Sequence, residues 1–160
     1  MKTIEIEYAI SRRFDIRSHL IVPNVSWGAL NHEADVLVVR STGYCLEFEI
    51  KRSFADFKKD FEKRKWRGGL DKCIKEFWYV FPAELWHKRE GDIKQLLPDF
   101  AGVLVAYNDE TGFGYTKVKR DPEQMKGVIP MNDKQMYNVA RLGTLRIWNL
   151  KRTIIQFIKN

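Results

Sequence analysis

The chain has 160 residues, 44% of them hydrophobic and 31% charged, which excludes an intrinsically disordered segment and suffices for one domain with a buried core. With 28 basic and 21 acidic side chains the formal net charge is +7, which favours an anionic partner, nucleic acid foremost. Cys45 and Cys73 are too few for a disulfide framework and lack metal-type spacing; no apolar run approaches membrane-spanning length and no signal peptide follows Met1, so a cytoplasmic setting without a membrane partner is expected.

Residues 3–14 carry Ile6, Ile10 and Phe14 on one helical stripe, but Ile4, Ile6, Tyr8 and Ile10 also alternate, so the period leaves helix and strand open. A strand is expected over 19–23, ended by Pro23, then a polar loop over 24–34. Residues 36–40 are strand-like, Ser41, Thr42 and Gly43 make a turn, and 44–51 is the next strand. Ser53 is a good helix N-cap with Asp56 three places on, and Phe54, Phe57 and Phe61 share one helical face before Gly68-Gly69 ends the element. Residues 77–81 read as a short buried strand closed by Pro82. A short helix near 91–97, a strand at 102–107 and another at 113–119 follow. Asn132 or Asp133 caps a last long helix carrying Met136, Val139, Ala140, Leu145 and Trp148. This order predicts a single α/β domain over 1–160, with a mixed central sheet flanked by helices.

The turn at 41–43 decides which side chains share a face. A three-residue loop with Gly43 left-handed pairs Arg40 with Tyr44, Val39 with Cys45, Leu37 with Glu47 and Asp35 with Glu49. A two-residue loop would mix the faces, so parity supports the three-residue register. Val36, Val38, Leu46, Phe48 and Ile50 then form an apolar face, and Asp35, Glu47, Glu49 and Lys51 share the other. Opposed side chains have Cβ atoms roughly 5 Å apart, and the like charges of Asp35 and Glu49 destabilise the pair unless a cation sits between them. A divalent cation, Mg²⁺ or Mn²⁺, suits such hard oxygen ligands. Lys51, on the same face, is placed to hold a phosphate or orient a water, and metal, carboxylates and ammonium together suit phosphodiester hydrolysis. The plainer alternative is a solvent-facing polar side with Lys51 paired to Glu49, and the charges alone leave both open.

Asp35 followed by Glu49-Ile50-Lys51 has the form D…ExK and resembles the active-site motif of the PD-(D/E)XK nuclease superfamily. The wider string EFEIKRSFADFKKDFEKRKW, followed by FWYVFP, resembles the MmcB-like DNA-repair branch of that superfamily, over roughly residues 5–85. The usual proline before the first motif aspartate is replaced by Ala34. The resemblance implies a restriction-endonuclease-like fold and a Mg²⁺-dependent nuclease acting on DNA, in repair or phage DNA metabolism. It implies Asp35 and Glu49 as metal ligands and Lys51 as the catalytic lysine. Members of the superfamily often add a glutamate from the first helix, and Glu7 is preferred over Glu5 because its helical phase places it nearer the sheet; a solvated helix face is the alternative.

Beside the motif, Arg52, Lys58, Lys59, Lys63 and Lys65, with Arg64 and Arg67, are expected to contact DNA phosphates without reading sequence, and Trp66 is placed to stack on a base. The alternatives are a wet helix face and a core tryptophan. Asp56 and Asp60 read as surface partners of lysines, and His32 as an incidental loop histidine. The basic residues of the last helix, Arg141, Arg146, Lys151 and Arg152, are a second basic surface or a solvated face. Its apolar residues pack on the domain or on a second subunit, so a homodimer stays open. The rival to a nuclease is a catalytically inactive nucleic-acid-binding module of the same fold, followed by an accessory protein that binds another protein.

Overall fold

The computed structural model describes residues 1–25, 28–61 and 69–159. The stretch left open near the N-terminus folds as helix α1 (Thr3–Ser11), because the helical phase buries Ile6, Ala9 and Ile10 together. After it come β1 (His19–Val25), β2 (Ala34–Arg40), β3 (Cys45–Ile50), α2 (Phe54–Asp60), β4 (Ile74–Pro82), α3 (Ala83–Leu96), β5 (Gly102–Asn108), β6 (Gly114–Arg120) and α4 (Asp133–Lys159). The strands lie in chain order in one six-stranded sheet. β1–β2–β3 is an antiparallel meander, β3, β4 and β5 run parallel, and β6 returns antiparallel. The fold is therefore α/β, with a mixed open sheet.

The hairpin register follows the parity of the sequence: Val36 pairs with Phe48, Leu37 with Glu47, Val38 with Leu46 and Val39 with Cys45. Gly43 takes φ +82°, and a Cβ there would lie 2.5 Å from the Met131 carbonyl oxygen, so the turn needs glycine twice over. The Met131 N–H donates to the Gly43 carbonyl at 2.9 Å, which fastens the approach to α4 onto the hairpin tip.

Several boundaries differ from expectation: β2 begins at Ala34 rather than at 36, and α2 ends at Asp60, with Phe61 as its C-cap. β1 continues through Pro23 to Val25, because it is an edge strand where a missing N–H breaks no ladder on the open side. β4 begins at Ile74, three residues early. The helix expected near 91 starts at Ala83: Pro82 ends β4 and also serves as the N-cap of α3, while Arg89 (φ −133°, ψ 20°) kinks the helix just before Gly91.

Both faces of the sheet are covered. Under α1, Ile6 and Ile10 pack on Val36, Val38, Leu46, Phe48 and Ile50, the apolar face read from the hairpin. On the other face Val139 of α4 and Met131, just before it, cover Leu37, Val39 and Cys45. Next to it α2 and α3 cover Tyr79, Phe81 and Val103 with Phe57, Trp86 and Ile93. Phe57 meets Phe61, Tyr79 and Phe81 edge-on at 5.0–5.2 Å, contacts worth about 0.5–1.5 kcal/mol each beyond area burial. Asn132 caps α4 reciprocally, its Oδ1 accepting the Gln135 N–H at 2.9 Å and its own N–H donating to the Gln135 side chain at 3.0 Å. Val139 is buried, but Leu145 and Trp148 do not pack on the domain and are exposed, as are Ile154, Phe157 and Ile158 further along. Among the described residues no helix is long and apolar enough to cross a membrane.

Candidate functional site

One level of the sheet carries the polar residues. Pro23 pairs with Val36 and Val25 with Ala34, which sets Asn24 against Asp35. The β2–β3 register runs from Val39–Cys45 to Val36–Phe48 and stops one residue before Asp35 and Glu49, and Glu49 pairs with Tyr79. The last rung of the β2–β3 ladder is Val36–Phe48; beyond it the Asp35 Oδ2 accepts the Ile50 N–H at 2.7 Å, so a carboxylate stands where a backbone carbonyl would continue the ladder. Asp35 is thereby fixed on the strand that carries Glu49 and Lys51.

Lys51 lies at the end of β3, turned to the same side as Glu49. Its Nζ donates to Glu49 Oε1 at 2.7 Å and to Asp60 Oδ1 at 2.9 Å, and the Tyr79 hydroxyl donates to Asp60 Oδ2 at 2.7 Å. Glu49, Lys51 and Asp60 are 3%, 1% and 0% exposed. The Lys51–Glu49 pair of the plainer alternative is present, but its solvent-facing setting is not: α2 folds over this end of the sheet and buries Glu49 and Lys51, while Asp35 stays half-buried beside a cavity. Asp60 is likewise no surface partner, because it sits three residues after the fully buried Phe57 and follows it inward, whereas Asp56 stays exposed. Burial, reinforced by the Asp60 carboxylate, pushes the Tyr79 phenol well above its usual range, so it keeps its proton and remains a donor.

Further down the row, Glu47 is buried and its Oε2 lies 2.7 Å from His32 Nε2, while His32 Nδ1 lies 2.6 Å from Asn31 Oδ1. His32 is a buried strut between the loop before β2 and the centre of β3, and not an incidental loop residue. Glu7 is half-buried on α1, and its Oε1 accepts from Asn24 Nδ2 at 3.2 Å. Loss of hydration raises its pKa, and the Asn24 bond opposes this. The structure thus joins Glu7 to the residue across from Asp35.

Asn24, Val25, Glu33, Ala34, Asp35 and Arg146 line a cavity of about 180 Å³. Arg146 comes from α4 and its Nη2 donates to the Asn24 carbonyl at 2.6 Å. Of the residues expected on DNA, Arg52, Lys58 and Lys59 are exposed at the start and end of α2, with Lys58 5.4 Å from the Phe54 ring centroid. Lys63, Lys65 and Trp66 lie outside the described residues.

The donor set suits a hard divalent ion. Glu49 and Asp60 share the Lys51 ammonium, and Asp35 accepts the Ile50 N–H between Glu49 and Lys51; carboxylate oxygens are the donors that such an ion takes. Among the described residues no group of three His, Cys, Asp or Glu side chains is arranged to hold a metal. Mg²⁺ does not require one, since it typically binds one or two carboxylates and keeps water or substrate phosphate on its other positions. Asn24 and Tyr79 are site residues that sequence patterns do not single out, while Asp60 and Arg146 read from the sequence as surface residues. Only Asp60 carries a signal, its i+3 spacing from Phe57.

No protein-family model matches the chain, and no curated protein matches its sequence. Its fold is similar to a solved structure, the SPO1766 protein of unknown function from Silicibacter pomeroyi, with a TM-score of 0.62 and 17% identity over 96% of this chain and 91% of that one. At that identity the likeness concerns the fold alone.

Proposed function

We propose that the chain is a Mg²⁺-dependent nuclease of restriction-endonuclease-like fold that hydrolyses phosphodiester bonds in DNA. The observation that carries this reading is the Lys51 ammonium held 2.7 Å from Glu49 at the end of β3, with the half-buried Asp35 fixed to the same strand one residue away. Asp35 and Glu49 would hold the ion, which when bound polarises the phosphate and makes its water acidic. Glu7 borders the site through Asn24.

Hydrolysis adds water across the P–O bond: the water oxygen bonds to phosphorus, the bond to the leaving oxygen breaks, and that oxygen takes up a proton. Charge grows on the phosphate oxygens in the transition state, where a fixed cation is worth most. Two of the three Lys51 N–H groups are committed to Glu49 and Asp60, and the third would meet a phosphate oxygen or the attacking water. The Tyr79–Asp60 bond holds the ammonium in one orientation, so little reorganisation is needed at the moment of reaction. The +7 net charge and the exposed Arg52, Lys58 and Lys59 suit a polyanion.

The test is a cleavage assay on supercoiled, linear, single-stranded and branched DNA with Mg²⁺, EDTA and the Glu49→Ala variant. Cleavage is expected in the parent with Mg²⁺ only. Full cleavage by Glu49→Ala, once contaminating nuclease is excluded, ends the proposal. DNA binding without cleavage by the parent favours an inactive binding module.

A further inference from the structure

Arg146 differs from its neighbours on α4. Leu145, Ile147 and Trp148 are exposed, but the Arg146 side chain turns back to the end of β1. Its Nη2 is spent on the Asn24 carbonyl, while its Nε is buried and has no hydrogen-bond partner among the described residues. A buried donor left unpaired costs about 1–3 kcal/mol, more on a charged group, and such a cost in a native structure calls for an explanation.

Asn24 supplies the setting. It has φ +52°, the left-handed region that asparagine tolerates better than most residues. Its carbonyl meets Arg146 and its side-chain amide meets Glu7, while Asp35 stands across the ladder from it. One residue thus ties α4 and α1 to the strand beside the proposed metal site. The cavity that Arg146 lines is shared with Asp35 and Glu33, so a guanidinium and carboxylates face one space of about 180 Å³. A group that satisfies both must be anionic where it meets Arg146 and compatible with a cation at Asp35. A metal-bound phosphate has both properties, and a guanidinium edge offers it parallel N–H donors.

We infer that Arg146 is a phosphate-binding residue of this site, its Nε–H meeting a non-bridging oxygen of the phosphodiester held at Asp35 and Glu49. The inference rests on the nuclease reading, and gives α4 a part in the site as well as in the core. A merely structural Arg146 would tie α4 to β1 through Asn24 and do no more.

The experiment uses the full chain with Arg146→Ala and Arg146→Lys. Lysine keeps a charge and a donor for the Asn24 carbonyl but not the planar edge, so Arg146→Lys should melt close to the parent. Both variants should lose roughly 10²–10³-fold in DNA cleavage, the usual loss for one stabilising donor, with Mg²⁺ binding by calorimetry unchanged. Millimolar guanidinium should restore part of the rate to Arg146→Ala. Parental cleavage by either variant overturns the inference. So does a cleavage loss without guanidinium rescue that tracks a lowered melting temperature in both variants. If the parent cleaves no form of DNA, the nuclease reading fails and inorganic phosphate becomes the probe. Phosphate with Mg²⁺ should then raise the melting temperature of the parent and not of Arg146→Ala; an equal response, or none in either, overturns the inference.

Discussion

Replacing Asp60 with alanine tests the sealed charge network where it is most exposed to failure. Asp60 accepts from Lys51 at 2.9 Å and from the Tyr79 hydroxyl at 2.7 Å, and is fully buried. Its removal orphans a buried hydroxyl, a loss of about 1–3 kcal/mol. It also takes one of two carboxylates from a buried ammonium, and breaking a buried pair costs about 3–5 kcal/mol when no partner remains. Glu49 stays 2.7 Å from Lys51, so the second loss falls short of that range, and the two are not additive because they share one residue. A total of about 3–5 kcal/mol is expected. At about 2–4 °C per kcal/mol for a domain of this size, the melting temperature should fall by about 6–20 °C. Urea unfolding should show a lower midpoint at unchanged slope. The exposed Asp56→Ala should stay within about 0.5 kcal/mol of the parent. Adding Tyr79→Phe to Asp60→Ala should restore about 1 kcal/mol by deleting the orphaned hydroxyl. An Asp60→Ala variant no less stable than Asp56→Ala would refute the network.

Lys51→Met keeps much of the side-chain volume and removes the charge; cleavage should drop about 10²–10³-fold, and Mg²⁺ should raise its melting temperature more than the parent's, because Glu49 and Asp60 then lack their shared ammonium. Parental cleavage by Lys51→Met would contradict its role. Glu7 has a folded-state pKa raised above its ordinary 4.5, so its contribution is full below that value and is lost as pH rises through the raised one. Glu7→Gln in EDTA should therefore melt above the parent at pH values above the raised pKa and match it below the ordinary one; a constant difference across this range would contradict the burial argument. Lys58→Ala with Lys59→Ala should weaken DNA binding alike across sequences and flatten the salt dependence by roughly one log unit for each phosphate no longer neutralised. An unchanged slope in a filter-binding series would make that face merely solvated.

The hairpin is legible in the sequence because two independent signals agree. Gly43 fixes the loop, and the alternation of 35–51 separates Val36, Val38, Leu46, Phe48 and Ile50 from the charged row. What alternation cannot say is whether a charged row faces water. That depends on α2 closing over it, and only the Phe57–Asp60 spacing hints that the helix brings a carboxylate inward. Pro82 reads as a stop and also serves as a start, because a proline with extended φ/ψ suits a helix N-cap as well as a strand end. The Asn24–Arg146 bond joins positions 122 residues apart. No local pattern encodes it; it arises from where α4 crosses β1. His32 looks incidental in the sequence for the same reason, since its partner Glu47 lies across a loop and a strand.

Anomalous diffraction from crystals soaked in Mn²⁺ shows directly whether Asp35 and Glu49 hold a metal at the end of β3, as proposed. A peak is expected within roughly 2.1 Å of an oxygen from each carboxylate, the distance of a small octahedral ion, and should disappear in Glu49→Ala. A peak elsewhere on the surface with none between Asp35 and Glu49, or one that survives Glu49→Ala, would contradict the proposal.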